Sequence, residues 1–365
     1  MSDLTAPVTG FEPFLGRNAR TGSLTDLASG TYRVINEAIV EGSWNAAVEL
    51  LEVTLLEAEE LHEIYALWPQ QVLAWLHDHP ITPDDERVDQ VERLREIIGG
   101  DPASEFEPGW QEYVRLTEAA QAACTTGEPQ AHELVEQARA HWQRIHDRAV
   151  DWLYGLLDIV VRRHGEEALL PVWDLLMGDW YVAHEQRLAL NNQPWQESIR
   201  QLRLAILDGF HAHLTGPDRM GDVELIDEEH RMGFRFAPCG SGGRAISRTA
   251  NRGTSRLESP YDFAVTTAEH DWAWNTTGIC AYCVHCCLLN ELQPIDRLGY
   301  PTRVIDPPRW PQDAENPTCT WWIYRDPSLV PEEIYRRVGR TKPAWLSRGD
   351  SHQSHEDVEG SAHDN

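Results

Sequence analysis

The chain has 365 residues, 41% of them hydrophobic, and its 59 acidic and 31 basic residues give a formal net charge of -28. This length favours two domains, and the negative charge argues against binding to nucleic acid or to anionic membranes. The N-terminal residues lack a basic start followed by an apolar stretch, and no run reaches the roughly 18 apolar residues that a membrane span needs. We therefore expect a cytoplasmic protein whose seven cysteines stay reduced, which favours metal binding or thiol chemistry over structural disulfides.

Four segments follow one another along the chain. Residues 1–28 are rich in Gly, Pro, Thr and Ser and predict an irregular arm. Residues 29–216 carry apolar side chains at helical spacing, interrupted by Pro and Gly, and predict an antiparallel helical bundle. Residues 217–345 combine short alternating stretches with most of the cysteines and predict a smaller mixed domain that binds a metal. Residues 346–365 are polar and predict a disordered tail, so the fold class is α+β.

The bundle contains an internal match without gaps. The stretch from Ala47 matches the stretch from Ala131 at an offset of 84 residues, within segments near residues 44–79 and 128–164. Shared helical periodicity explains part of this match. The recurrence of a His-acid dipeptide, followed six residues on by Trp, favours a true duplication.

The repeated histidines are candidate catalytic residues. His62 and His146 are each followed by an acidic residue, and a pseudo-twofold pairing of their helices would bring them to one site for proton transfer or for a metal. The alternative is that each histidine makes a buried hydrogen bond that links two helices. Glu59 and His62 have the spacing of di-iron bundles, but Gln143 takes the place of the glutamate in the second half, which disfavours that site.

The strongest chemical signal is a group of four cysteines and one histidine within residues 280–287. Two residues between cysteines allow both sulfurs to reach one ion. Cys283 and Cys286 are favoured as this pair because a predicted helix follows directly, and a helix N-terminus stabilises thiolates. Cys280 with Cys283 is the alternative pair.

Such a pair supplies only two of the four ligands that a zinc ion or an iron–sulfur cluster takes. Two distant cysteines are therefore predicted to complete the site by long-range closure. The predicted metal ligands are Cys239, Cys283, Cys286 and Cys319, with His270 and His285 in reserve. Zinc is favoured over iron–sulfur because mixed Cys and His surroundings suit zinc. Redox thiols or inert buried cysteines are the alternatives, and Cys124, alone in a helical segment, fits the inert description.

The glycine-rich loop after Cys239 predicts a substrate site. Its glycines would let the backbone approach a ligand and form an anion-binding nest. Arg244 would bind a carboxylate or phosphate, with Ser241 and Trp272 as further substrate contacts. Cys239 is then either a metal ligand or a nucleophile, and His270 or a helical histidine moves protons.

Five tryptophans between residues 272 and 322 would either wall a pocket or form the core of a small domain. Arg303, Asp306 and Arg309 stand between proline-rich turns and would supply polar contacts to a ligand.

Residues 238–242, with the later Cys286 and Cys287, locally resemble the SEC-C zinc motif. Ala237 stands where that motif has a further cysteine, and the closing cysteine pair of the motif lies much nearer to its first half. The resemblance covers a handful of residues, and no function is carried over from it.

These features predict a metal-dependent enzyme, of hydrolase or lyase type, that acts on a small polar or anionic molecule where the two domains meet. The alternatives are a non-catalytic protein with a structural zinc site and a partner-binding bundle, and an iron–sulfur or thiol redox protein. A closed set of four protein ligands far from any cavity would favour the structural site, whereas an open position beside a pocket would favour the enzyme.

Overall fold

The computed structural model describes residues 7–81 and 87–347. The protein is rich in helix and carries a small antiparallel sheet, which confirms the α+β class. The duplication and the metal-binding character of the second part stay predictions. From residue 348 onward, the tail predicted at residues 346–365 lies outside the described residues.

The N-terminal segment is more regular than its composition predicts. It contains two strands and a short helix, which are β1 (Thr9–Glu12), β2 (Arg17–Arg20) and α1 (Leu24–Ala28). The Ser23 hydroxyl accepts a hydrogen bond from the Asp26 amide, and the Asp26 carboxylate accepts one from the Ser23 amide, which starts α1. Arg17 pairs with Asp208 at 2.6 Å and fastens the hairpin to the bundle. Within the described residues, the irregular arm is therefore a hairpin and a helix.

Helices make up the segment predicted as a bundle. Its helices are α2 (Thr31–Val40), α3 (Trp44–Asp78), α4 (Arg87–Ile98), α5 (Pro102–Thr126), α6 (Ala131–His164), α7 (Leu169–Leu188) and α8 (Trp195–Ala212). Every residue from Ala149 to Val160 is buried, because α6 runs through the centre of the helices and has no solvent face there. Among the described residues, no helix has both the length and the apolar character needed to cross a membrane.

A four-stranded antiparallel sheet follows the bundle. Its strands are β3 (Glu224–Asp227), β4 (Arg231–Phe236), β5 (Val304–Asp306) and β6 (Cys319–Tyr324), in the order β3-β4-β6-β5. The register places Phe236, at the end of β4, opposite Cys319, at the start of β6.

Short helices surround the sheet. They are α9 (Gly242–Ile246), α10 (Val284–Cys287), α11 (Gln293–Leu298), α12 (Glu332–Arg336) and α13 (Ala344–Ser347). One π-helical turn, Leu288–Leu292, joins α10 to α11. Single π-helical turns are frequent at functional sites because they shift the side chains that follow them.

The helices and the C-terminal part share one continuous hydrophobic core. Buried hydroxyl and indole groups of the helices bond to the C-terminal part. Tyr65 and Tyr282 join their hydroxyl groups at 3.0 Å, and the Trp173 indole donates to the Ala281 carbonyl at 3.2 Å. These bonds fix the segment that carries the cysteines against α3 and α7.

Candidate thiol-lined cavity

Three separate parts of the chain deliver the cysteines to one place. The pairing of β4 with β6 sets Phe236 opposite Cys319, and Cys239 follows Phe236 after a short turn. Cys283 stands at the start of α10, and Cys286 lies within that helix. The sheet register therefore brings Cys239 and Cys319 near each other, and the close packing of Gly242 on the Cys283 sulfur brings the Cys239 loop to the 280–287 segment.

These cysteines border a cavity of about 580 Å³ between the helices and the C-terminal part. Cys239, Cys283, Cys286 and Cys319 all line it, which are the four cysteines that the sequence predicts to act together. The volume lies within the range of small-molecule sites. Aromatic rings form much of the remaining wall, namely Tyr65, Trp68, Trp180, Trp274, Tyr282 and Trp321.

The N-terminal hairpin and α3 form the outer part of the cavity. Phe14 and Arg17 line it from the hairpin, and the exposed Glu59 and Glu60 line it from α3. Arg187 of α7 lies over the Phe14 ring at 5.6 Å. The segment predicted as an irregular arm thus contributes directly to the cavity.

The glycines after Cys239 serve close packing within the protein. A Cβ atom on Gly240 would lie 1.6 Å from the His213 carbonyl oxygen, and one on Gly242 would lie 2.3 Å from the Cys283 sulfur. No side chain fits at either position. Two of the loop amides that were predicted to bind an anion already donate hydrogen bonds within the loop. The Gly243 amide donates to Cys239 Sγ at 3.0 Å, and the Arg244 amide donates to the Cys239 carbonyl.

Cys280 and Cys283 form a disulfide-distance pair. Cys283 lines the cavity, but its sulfur is engaged by Cys280 in this arrangement. The cysteines with separate sulfurs on the cavity wall are Cys239, Cys286 and Cys319. This set differs from the predicted ligand set, in which Cys283 and Cys286 act as the close pair.

A hydrogen-bonded pair of histidines leads from α6 to the cavity. His146 Nδ1 donates to Asp147 Oδ1 at 3.1 Å, which leaves His146 Nε2 to accept from His213 Nδ1 at 2.9 Å. His213 lines the cavity, and this arrangement leaves its Nε2 lone pair unprotonated. Burial, aided by the charges of His146, His285 and Arg219 and opposed by Asp147, lowers the pKa of His213 well below its usual range, so the imidazole is neutral.

Asp147 holds the other end of this chain of bonds. Arg219 donates to both of its carboxylate oxygens, at 2.7 and 3.0 Å, and Arg244 lies 3.5 Å away. Burial raises the pKa of Asp147, but Arg244 and Arg219 outweigh burial and hold that pKa well below its usual range. A permanently charged carboxylate therefore fixes the orientation of His146.

His285 presents its Nε2 atom beside a cavity thiol. Its Nδ1 donates to the Tyr282 carbonyl at 2.6 Å, and its Nε2 lies 3.4 Å from Cys286 Sγ. Burial lowers the pKa of His285 to about 4, so this ring is also neutral. A backbone or carboxylate acceptor on one ring nitrogen is the arrangement that orients metal-binding histidines.

The cavity thiols influence one another. Burial raises the pKa of Cys286, and the charge of Cys239 raises it further. Burial likewise raises the pKa of Cys319, with Cys239 and Cys286 as additional causes. Cys286 and Cys319 are therefore protonated at neutral pH as they stand, and a bound cation would favour their thiolate forms.

Several predicted site residues lie away from the cavity. His62 bonds to Glu107 at 2.8 Å and stacks on Trp110, so His62 and His146 do not converge on one point. His270 bonds to Glu166 at 2.7 Å and stacks on Trp272, and neither His270 nor Trp272 lines the cavity.

The predicted anion-binding arginine is engaged elsewhere. Arg244 is 1% exposed, pairs with Asp151 and does not line the cavity. Ser241, by contrast, does line it. Arg303 is buried on the cavity wall, and its guanidinium lies 5.1 Å from the centre of the Trp321 ring.

Sequence reasoning missed His213 and Asn290 as cavity residues. His213 follows the last turn of α8, where no pattern distinguishes it from other histidines near helix ends. Asn290 lies in the π-helical turn, which the sequence does not reveal. A tertiary structure is needed to find both.

Within the part of the chain that the structure describes, no group of three or more His, Cys, Asp or Glu side chains has the spacing to hold a metal ion. Cavity side chains would have to rotate to bind one. Comparison with protein-family models, with curated proteins and with solved structures gives no match to this chain.

Proposed function

We propose that the cavity is the active site of a metal-dependent enzyme, of hydrolase or lyase type, that acts on a small anionic molecule. The observation that carries this proposal is the convergence of Cys239, Cys286 and Cys319, from three separate segments, on the wall of one cavity of about 580 Å³. Inert buried cysteines have no reason to gather from distant segments beside an open space.

In this proposal, the three cysteines hold the ion after side-chain rotation. Zinc remains favoured over an iron–sulfur cluster because neutral imidazoles, His213 and His285, accompany the thiols. Three protein ligands would leave the fourth zinc position for substrate or water. A bound zinc ion would polarise a carbonyl group or lower the pKa of a water molecule.

The surrounding residues have separate roles. His213 accepts a proton at Nε2, because its Nδ1 is fixed by His146. The negative charge of Asp147 favours the protonated form of the His146–His213 pair. The aromatic wall limits the access of water and contacts the apolar part of a ligand.

The position of the thiols beside a cavity supports the enzyme over a purely structural zinc site. A structural ion has all its positions taken by protein and needs no adjoining space. Here three thiols face a cavity large enough for a small ligand, which is the arrangement a catalytic site requires.

Elemental analysis of protein purified without oxygen tests the proposal. We expect about one zinc ion per chain, and we expect Cys286→Ser and Cys319→Ser to lose it. Cys124→Ala is the matched control, because Cys124 is buried in the bundle core and does not line the cavity. Charge-transfer absorption in the visible range would show that the bound group is an iron–sulfur cluster and not zinc. Metal-free protein that retains its fold would refute the proposal.

A thiol redox protein is the second candidate, favoured by the Cys280–Cys283 pair beside the cavity. Metal content separates the two, because the metal site uses Cys239, Cys286 and Cys319 and leaves the Cys280–Cys283 pair intact. The redox candidate predicts no bound metal, together with a Cys280–Cys283 pair that opens and re-forms in a thiol redox buffer.

A further inference from the structure

Arg303 is a buried cation without an anionic partner. It is 6% exposed and lines the cavity, and its Nε atom has no hydrogen-bond partner. Among the described residues, no carboxylate lies within ion-pair distance of it. Burial lowers the pKa of Arg303 to about 10, with the nearby Cys286 opposing this effect, so the guanidinium stays charged at neutral pH.

An unpaired buried charge is costly, so its presence needs a reason. Arg244 provides the contrast within the same chain, because it is equally buried but is paired with Asp151 and Asp147. The planar guanidinium group matches the two oxygens of a carboxylate and forms paired, charge-assisted hydrogen bonds with them. A carboxylate ligand in the cavity would supply the charge that the protein does not.

Two acceptor atoms without partners accompany Arg303. Asn290 is fully buried, and its Nδ2 donates to the Cys286 carbonyl at 2.7 Å, so that its unpaired Oδ1 remains an acceptor. His184 lines the cavity, and its Nδ1 has no partner. Burial, with the charges of Arg303 and Arg187, lowers the pKa of His184 to about 3, so the ring is neutral.

Backbone contacts hold Arg303, Asn290 and His184 near one another. The Asn290 carbonyl accepts hydrogen bonds from the Thr302 and Arg303 amides, at 3.0 and 3.4 Å. His184 lies close to the backbone of Leu289, the residue before Asn290. The π-helical turn Leu288–Leu292 carries Leu289 and Asn290 to the cavity wall.

We propose that Arg303, Asn290 and His184 form a subsite for a small carboxylate that carries an N–H or O–H donor close to its carboxyl group. Arg303 binds the carboxylate, and Asn290 Oδ1 or His184 Nδ1 accepts the hydrogen bond from the donor. The apolar body of the ligand contacts the rings of Trp274 and Trp321. This subsite deepens the proposed function and rests on it, because it treats the cavity as a substrate site.

Matched probes test this subsite by calorimetric titration of the protein as purified. Hippurate has a carboxylate, an amide N–H and an aromatic ring. Hippuramide lacks the charge, N-benzoylsarcosine lacks the N–H, and N-acetylglycine lacks the ring. We expect hippurate to bind at least about tenfold more tightly than hippuramide, because a charge-assisted pair contributes about this factor. N-benzoylsarcosine should also bind more weakly than hippurate.

Variants assign the preference to named residues. Arg303→Gln should remove the preference for hippurate over hippuramide, and Arg303→Lys should restore it in part. Asn290→Leu should reduce the preference for hippurate over N-benzoylsarcosine. Arg309→Gln is the control, because Arg309 is exposed, does not line the cavity and should keep both preferences. Circular dichroism identifies variants that fail to fold.

Equal binding of hippurate and hippuramide by wild-type protein, or no binding of hippurate and N-acetylglycine, overturns the subsite. Metal content, measured on the same samples, separates this result from failure of the proposed function. If the protein is metal-free but still prefers the carboxylate probe, the proposed metal site is refuted and the proposed subsite is supported. If Arg303 only stabilises the Cys286 thiolate, Arg303→Gln will lower metal content and leave the probe preference unchanged, which also overturns the subsite.

Discussion

His146 Nε2 accepts a hydrogen bond from His213 Nδ1 at 2.9 Å, and His213 lines the cavity whereas His146 does not. The buried histidine of α6 therefore acts on the cavity through its neighbour. It fixes which nitrogen of His213 carries the proton, and Asp147 fixes the orientation of His146. In the proposed function, His146 is thus a positioning residue.

Replacing His146 with Leu removes the acceptor for His213 Nδ1, so the His213 ring loses its fixed orientation. We expect His213 to lose its single tautomer, because the hydrogen bond that keeps the proton on Nδ1 is gone. The NMR shifts of the imidazole nitrogens measure this tautomer preference. His62→Leu, the change at the corresponding histidine of α3, should leave it unchanged because His62 bonds to Glu107 outside the cavity. Equal losses in both variants would count against the positioning role.

Gly242 permits the close approach of the Cys239 loop to the 280–287 segment. In Gly242→Ala, the new methyl group would lie 2.3 Å from the Cys283 sulfur, so the two segments must separate. We expect lower metal content and a loss of about 1–3 kcal/mol in the free energy of unfolding, as for other overpacked sites. Gly178→Ala is the control, because nothing lies within 4 Å of a Cβ there and the change in α7 should stabilise by about 0.5–1 kcal/mol. Unchanged metal content in Gly242→Ala would contradict this account.

The boundaries of the long helices could be predicted from the sequence because apolar periodicity and terminal Pro and Gly residues act locally. The observed α3 and α6 end within one residue of the predicted segments at their C-terminal ends. The hairpin β1–β2 was missed, since its stability depends on distant contacts such as Arg17 with Asp208. Composition alone does not contain that information.

The two buried arginines of the C-terminal part should respond oppositely to substitution. Arg244→Met leaves Asp151 and Asp147 with less compensation, so we expect the free energy of unfolding to fall by about 3–5 kcal/mol. Arg303→Met removes an unpaired buried charge and should be neutral or stabilising. Denaturant unfolding measures both. A large loss in Arg303→Met would show that Arg303 has a structural partner, and a small loss in Arg244→Met would show that its ion pairs contribute little.

Asp158 gives the protein a dependence of stability on pH. Burial raises the pKa of Asp158 to about 6, although Arg162 at 2.6 Å opposes this. Because the folded pKa exceeds the unfolded one, the folded state binds more protons between about pH 4 and pH 6, and stability falls as the pH rises through this window. The penalty at pH 7 is roughly 2–3 kcal/mol.

Asp158→Asn should therefore be more stable than wild type at pH 7 and similar to it near pH 4. Burial raises the pKa of Asp208 to about 6 with the same sign, but Asp208 is present in both proteins and cancels in the comparison. Thermal unfolding across this pH range measures the difference, and Asp227→Asn at an exposed position is the control. A constant difference between the two proteins at all pH values would refute the assignment.

The candidate site was accessible to sequence reasoning only where residues cluster along the chain. The 280–287 segment stands out because it holds four cysteines and one histidine within eight residues. The prediction that Cys239 and Cys319 lie near this segment followed from the need for further metal ligands. Arg244 was predicted to bind an anion, and its ion pair with Asp151 could not be anticipated because Arg244 lies in a polar, loop-like segment. Only the fold shows that Asp151 neutralises Arg244, whereas Arg303 has no carboxylate partner among the described residues.

The central claim is that Cys239, Cys286 and Cys319 hold a metal ion with one position open to the cavity. X-ray absorption spectroscopy at the zinc edge tests it most directly. The account predicts three sulfur ligands at about 2.3 Å and one nitrogen or oxygen ligand at about 2.0–2.1 Å. Four sulfur ligands, which would indicate a closed structural site, or the absence of bound metal from folded protein would contradict it.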